Sequence, residues 1–217
     1  MSRDPFCTMS PATQTSKVKI VSAIMFVRKV KLSPSVFLAH AKALQNATAK
    51  YPINRLVCKT LTIPAYLMDV NHEKLFCGQI PNRIVTCLVR NGAFNGTTTR
   101  NAFNFQNFNL SEISVYSDRQ QQHGIKQLKL TTDFERSLFV RAFNTLFSGT
   151  GKLFRDEGNA FDRNSFSDEF ALYAFDLTPD LAGDDHFNLT KQRSVRLVLK
   201  FANALTDPVT VTQSSRT

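Results

Sequence analysis

A chain of 217 residues, 42% of them hydrophobic, can bury a core as one large or two small domains. Its 19 Phe against 4 Tyr and no Trp draw the large apolar volume from rings that carry no polar atom to satisfy. The formal charge of +10 is uneven: residues 1–68 hold 10 Lys and Arg and one acid, Asp4, while residues 69–217 are close to neutral, so the N-terminal third is the part suited to a polyanion.

Residues 1–16 are polar, carry Pro5 and Pro11, and lack the apolar run of a signal peptide, so they read as a disordered tail. No stretch reaches the roughly 18 consecutive apolar residues of a membrane span. Residues 17–32 (KVKIVSAIMFVRKVKL) are rich in β-branched residues and predict a long strand ending at Ser33-Pro34. Lys17, Lys19, Arg28, Lys29 and Lys31 punctuate it and are the residues expected to face nucleic acid. Pro34 opens a helix over 34–49, with Val36, Phe37, Ala41 and Leu44 at helical spacing. A strand over 54–63, a loop or short helical stretch to Gly78, and a strand over 83–90 (RIVTCLVR) apolar enough for burial on both faces follow. Asn91-Gly92 and Asn95-Gly96 mark turns.

Residues 101–109 (NAFNFQNFN) place Phe103, Phe105 and Phe108 among amides ahead of a strand over 110–116. Such rings can stack on bases, but packing under a loop is their commoner use. An amphipathic helix is expected over 131–147, with Phe139 and Phe143 on its buried side. Strands over 170–177, 195–201 and 209–212 complete the pattern, with Leu197, Leu199 and Phe201 facing inward against Arg196, Val198 and Lys200. About eight strands and two helices that do not alternate predict an all-β fold with a few helices: an antiparallel β-sandwich of the jelly-roll type, one domain over 17–212 with a C-terminal tail at 213–217.

Chemistry-bearing motifs are weak. Ser148 to Lys152 (SGTGK) looks like a phosphate loop, yet Leu146 stands where that loop needs Gly and Leu153 where it needs Ser or Thr. Asp184-Asp185-His186 cannot all converge on one ion without further ligands, and His40, His72 and His123 are scattered. Cys7, Cys58, Cys77 and Cys87 form no CxxC pair and read as reduced thiols. No catalytic residue, metal site or cofactor is nominated.

The segments LSPSVFLAHAKAL (32–44), NRLVCKTLTIP (54–64), HEKLFCGQIPNRIVTCLV (72–89), AFNGTTTRNAFNFQNFNLSEISVY (93–116), AFDLTPDLAGDDHFNLTKQ (174–192) and VRLVLKFANALTDPVTV (195–211) resemble the hexon-like major capsid protein of Maverick/Polinton transposons and adintovirus-type viruses. The resemblance runs from about residue 17 to about residue 211. It implies the C-terminal jelly roll of a double jelly-roll protein that forms homotrimeric capsomers, with no catalytic residues or cofactors. The expected partners are further copies of the chain, other capsid proteins and genomic DNA, without a membrane, in a virion or in the nucleus or cytoplasm of a host. Because the resemblance covers one jelly roll where a capsomer of the family needs two, a fragment or degenerate copy that keeps the fold without building a shell alone is expected. Arg193-Ser194, and the ending TQSSRT after Val211, depart from the family pattern and bear on the final hairpin. The alternative is a jelly-roll binding module for nucleic acid or carbohydrate, acting through the Phe/Asn-rich loop.

Overall fold

The structure, a computed structural model, describes residues 19–49, 53, 55–97, 99–117, 128–153, 158–178 and 192–216. The chain separates into two compact units, Lys17–Ile53 and a larger one spanning Asn54–Thr217.

In the smaller unit, helix α1 (Pro34–Asn46) starts where the sequence predicts it. Ser33 precedes it with extended backbone and Pro34 takes the first turn, where its missing N–H is not needed. No residue of α1 is buried. Residues 19–32 form neither helix nor strand and are exposed throughout, which corrects the long strand expected there. β-propensity expresses fit to a pleated, half-buried surface, and no strand among the described residues supplies that surface.

Among the described residues the larger unit carries eight strands: β1 (Leu56–Ile63), β2 (Asp69–Gln79), β3 (Arg83–Arg90), β4 (Leu110–Ser117), β5 (Leu128–Thr131), β6 (Leu172–Asp176), β7 (Gln192–Phe201) and β8 (Val209–Arg216). They form two four-stranded sheets, β1-β8-β3-β6 and β2-β7-β4-β5, with every neighbouring pair antiparallel. The pairs β1·β8, β2·β7, β3·β6 and β4·β5 each join strands equally far from the two ends of the series, as if one long hairpin had been rolled up. The added contacts β3·β8 and β4·β7 close the roll into two sheets. This is the eight-stranded jelly roll, an antiparallel β-sandwich.

Period-2 alternation builds the core. Across the second sheet, Leu130, Ile113, Leu199 and Val70 stand in one row, and all but half-buried Val70 are buried. From the first sheet Ile84, Leu88, Val211 and Phe175 face them. Leu197, Leu199 and Phe201 are buried and Lys200 exposed, as the alternation predicts. β3 occupies the predicted residues and is buried nearly end to end between β8 and β6; α2 (Asn91–Asn95) follows it directly, and α3 (Val140–Gly149) packs on the neighbouring β6. The turn expected at Asn91-Gly92 is thus the start of a short helix.

Helix α3 begins nine residues after the predicted start at 131, since Asp133 and Leu138 first close a bridge on each other. It leaves Phe139 buried but Phe143 half-buried, a correction for the latter. With α4 (Arg163–Asp168), α3 frames an aromatic cluster around buried Phe166, whose ring lies 5.9 Å from Phe139, 5.6 Å from Phe143 and 6.1 Å from Tyr173.

Two further corrections concern β2 and β8. Most of the stretch to Gly78, expected as a loop or short helical stretch, is the eleven-residue β2, whose register slips between His72 and Phe76. The expected tail from 213 is strand as far as Arg216, paired with β1 on one side and β3 on the other. It is polar because the inner face there is polar: Lys59, Gln213, Thr86 and Tyr173 stand side by side across four strands. Lys59 reaches out to the Leu75 carbonyl at 2.7 Å and lies 4.8 Å from the centre of the Phe76 ring. Thr86 Oγ1, Gln213 Nε2 and the Tyr173 hydroxyl are buried without a hydrogen-bond partner among the described residues, and burial pushes the Tyr173 phenol upward. An unpaired buried hydroxyl costs stability, so Thr86→Val, which keeps the shape, should raise the urea midpoint by the equivalent of about 1 kcal/mol. A fall of that size would show that the hydroxyl is satisfied in solution.

Candidate functional site at the loop end

In an antiparallel roll, alternate connections emerge at the same end, so the loops 64–68, 91–109, 132–171 and 202–208 converge. Backbone hydrogen bonds lock them together. Tyr66 N–H donates to the Leu205 carbonyl (2.7 Å) and Leu205 N–H to that of Leu67 (3.2 Å), Ala202 N–H donates to the Asn109 carbonyl (2.8 Å), and Asn91 N–H to that of Pro208 (2.9 Å). The two long loops exchange bonds as well: Phe105 N–H donates to the Glu169 carbonyl, Ala171 N–H to that of Phe105, and Asn107 Nδ2 to that of Ser167 at 2.7 Å. Long loops held by a rigid sandwich are where binding groups collect.

The centre of this end is Asn107 to Asn109. Phe108 and Asn109 both take positive φ, 47° and 50°. A ring-bearing residue seldom adopts that conformation, and the Asn107 carboxamide holds it by accepting the Asn109 N–H at 2.8 Å. Two clefts flank the turn and share Asn107, Asn109, Ser167 and Asp168: one of about 330 Å³ beside Phe134 and Arg163, one of about 530 Å³ beside Arg90 and Asn203. Arg163 donates to the Ser137 carbonyl at 3.4 Å with its guanidinium 5.3 Å from the Phe139 ring centre. Arg90 bridges Gln106 and Asp207, both at 3.1 Å. At the start of α4 the Asp162 carboxylate accepts the Ser165 N–H at 2.7 Å, which holds its pKa below the usual range. The linings offer amides, the carboxylates of Glu135 and Asp168 and two anchored guanidiniums, groups that hydrogen-bond a polar ligand. Of the three loop phenylalanines, Phe103 alone is exposed; Phe105 and Phe108 pack.

The basic residues expected to face nucleic acid belong to the smaller unit. Lys19, Arg28, Lys29 and Lys31 are exposed in the smaller unit, in a segment without regular structure; Lys17 lies outside the described residues. Asp184-Asp185-His186 and His123 also lie outside them. Ser148 to Lys152 runs off the C-terminal end of α3, where carbonyls face outward, and Arg83 Nη1 donates to the Thr150 carbonyl at 3.2 Å. That is the wrong end of a helix for a phosphate. Cys58, Cys77 and Cys87 are unpaired thiols; burial pushes the Cys87 thiol up to about 12, which leaves it inert, and Cys7 lies outside the described residues. No group of three His, Cys, Asp or Glu able to hold a metal occurs among the described residues, and no helix among them is long and apolar enough to cross a membrane.

Sequence reasoning missed the Glu112 cluster on the second sheet, because its members come from three strands. Lys129 Nζ lies 2.8 Å and Lys200 Nζ 3.5 Å from Glu112 Oε2, and Ser114 donates to Oε1 at 3.1 Å. The Lys129 bond first, then Ser114 and the two lysine charges, hold the Glu112 carboxyl below its ordinary range. A carboxyl depressed on folding contributes stability above its unfolded pKa, and the contribution disappears as pH falls through the folded value. Glu112→Gln should therefore flatten the acid side of the stability profile and leave the profile parallel to the parent's above about pH 6; an unchanged acid limb would show that the cluster does not form in solution.

No protein-family model matches the chain. Over 163 residues, 74% of the chain, it is 24% identical to the uncharacterized protein F54H12.2 of Caenorhabditis elegans, and it spans 38% of that protein's length.

Proposed function

We propose that the chain is a structural capsid protein of the Maverick/Polinton type, or a fragment or degenerate copy of one, working by self-association into capsomers and not by catalysis. The observation that carries the reading is the strand order β1-β8-β3-β6 and β2-β7-β4-β5 with long, interlocked loops at one end. Four of the six capsid-like segments fall on or beside strands of that roll, the segment 32–44 covers most of α1, and the segment 174–192 begins in β6 and lies mostly outside the described residues. In the same proposal the expected partners are copies of the chain, other capsid proteins and genomic DNA, in a virion or a host nucleus or cytoplasm. Sedimentation and electron microscopy of the purified chain test it: discrete trimers or closed particles support a capsid protein that assembles unaided, edge-to-edge association without closed particles supports a fragment or degenerate copy, and a strict monomer at tens of micromolar overturns self-association.

The basic N-terminal third supports the DNA contact within this proposal. Replacing Lys19, Arg28, Lys29 and Lys31 together by Gln should weaken binding to duplex DNA at 50 mM salt about tenfold or more and flatten the salt dependence, since each phosphate contact adds roughly 0.9 to the slope of log K against log salt. Binding that ignores both the substitutions and the salt would make the charge a solubilising surface. A second reading, a binding module for carbohydrate or nucleic acid, is favoured by the paired polar clefts around Asn107. It predicts a saturable ligand response lost on Asn107→Ala in a chain that does not self-associate.

A further inference from the structure

Residues 20–27 (IVSAIMFV) are eight consecutive uncharged residues, five of them Ile, Val or Phe. All are exposed, with Val21 89% and Phe26 93% accessible, and none belongs to a helix or strand. Alternation gives the segment one nearly continuous apolar face, Ile20, Ile24, Phe26, Val30 and Leu32, interrupted by Ser22 and Arg28. A segment of this kind acquires structure by joining a sheet that lends it hydrogen bonds and an apolar floor.

Among the described residues the jelly roll has four edges, and three are blunted. β5 is four residues long. β2 is bulged between His72 and Phe76 and bears Asp69, Glu73 and Lys74. β6 is five residues long with α3 set against it, so close that a Cβ on Gly149 would come within 2.9 Å of the Ala174 Cβ. β1 is different: eight residues in unbroken register with β8, of high β-propensity (LVCKTLTI), with Leu56, Cys58, Thr60 and Thr62 exposed. Its Lys59 is turned to the Leu75 carbonyl and the Phe76 ring. Natural sheets protect long flat edges because such edges template pairing. One chain thus holds a long edge in unbroken register, whose one charge is turned inward, and an eight-residue apolar segment outside any strand.

We propose that residues 20–27 of one copy add as a strand to the β1 edge of a second copy, extending the β1-β8-β3-β6 sheet across the interface. The donor segment gains hydrogen bonds and a floor, and the acceptor loses its exposed edge. The proposal rests on the self-association reading and names the segment that drives it.

The test is the mass of the full chain by light scattering, beside Ile24→Pro and Phe26→Pro, which remove a donor N–H in a segment outside the jelly roll. The parent should be oligomeric and both variants monomeric, with the melting of the jelly roll unmoved. In a Cys7→Ser, Cys77→Ser background treated with a mild oxidant such as copper–phenanthroline, single cysteines placed along 20–27 should form interchain disulfides with native Cys58 most strongly at one position and not at its immediate neighbours, the two-residue period of a strand lying alongside β1. Proline variants that stay oligomeric, or cross-linking without the two-residue period, overturn strand addition while leaving self-association standing. A monomeric parent overturns both. Binding of the parent to phosphatidylserine vesicles that proline leaves unchanged, without oligomers, would give the apolar segment to a membrane surface and also overturn the proposal.

Discussion

Removing residues 212–217 is expected to abolish cooperative folding of the jelly roll. β8 is the second strand of its sheet, and the lost residues pair with Leu56–Thr60 of β1 and with Arg83–Cys87 of β3. Gln213 and Ser215 are buried, and the Ser215 hydroxyl donates to the Val57 carbonyl at 3.2 Å. Their removal opens two ladders at once and uncovers Ile84, a loss comparable with the whole stability of a domain, about 5–15 kcal/mol. Circular dichroism and urea titration of the truncated chain should show no sigmoidal transition. A change under about 0.5 kcal/mol would instead make these residues the tail that their polarity suggests.

Phe166→Ala is expected to cost about 3–5 kcal/mol, the largest effect of any single side chain in the loop end. Phe166 is buried and touches Phe139, Phe143 and Tyr173, so its removal leaves a cavity bordered by three rings that α3, α4 and β6 hold in place. Half-buried Phe143 can be partly replaced by water, and Phe143→Ala should cost less than Phe166→Ala, under about 3 kcal/mol. Exposed Phe103→Ala should fall within about 0.5 kcal/mol. Denaturant melts of the three variants give the order, and a Phe103 effect as large as that of Phe166 would mean that the 91–109 loop is packed differently.

The strands that could be read from the residues are those whose surroundings are simple. Residues 83–90 announce a buried strand because both faces are covered, and 195–201 announce their inward face because one is. β2 hides because a register slip at 73–75 breaks the alternation in the middle of the strand. Residues 213–216 hide for the opposite reason: their alternation is intact, but the side chains turned inward are Gln and Ser, matched by Thr86 across the sheet, which no local pattern reveals. Residues 17–32 show the converse error, since strand propensity describes what a segment can join and not whether a neighbour is present. The loop-end clefts were half legible: the Phe/Asn run drew attention to 101–109, but its partners at 134–139, 163–168 and 203–206 lie far along the chain and carry no motif.

The nested pairing of the strands also sets an order in time. Closing a short loop costs less chain entropy than closing a long one, so β4·β5 can form first, β3·β6 and β2·β7 follow, and β1·β8 comes last. β8 is moreover the strand that joins β1 to β3, so until it docks the first sheet exists only as the β3·β6 pair with β1 unattached. Until β8 docks, the half-built sandwich therefore keeps its apolar inner face open. Folding should be slow, late and sensitive to chaperones that shield that face.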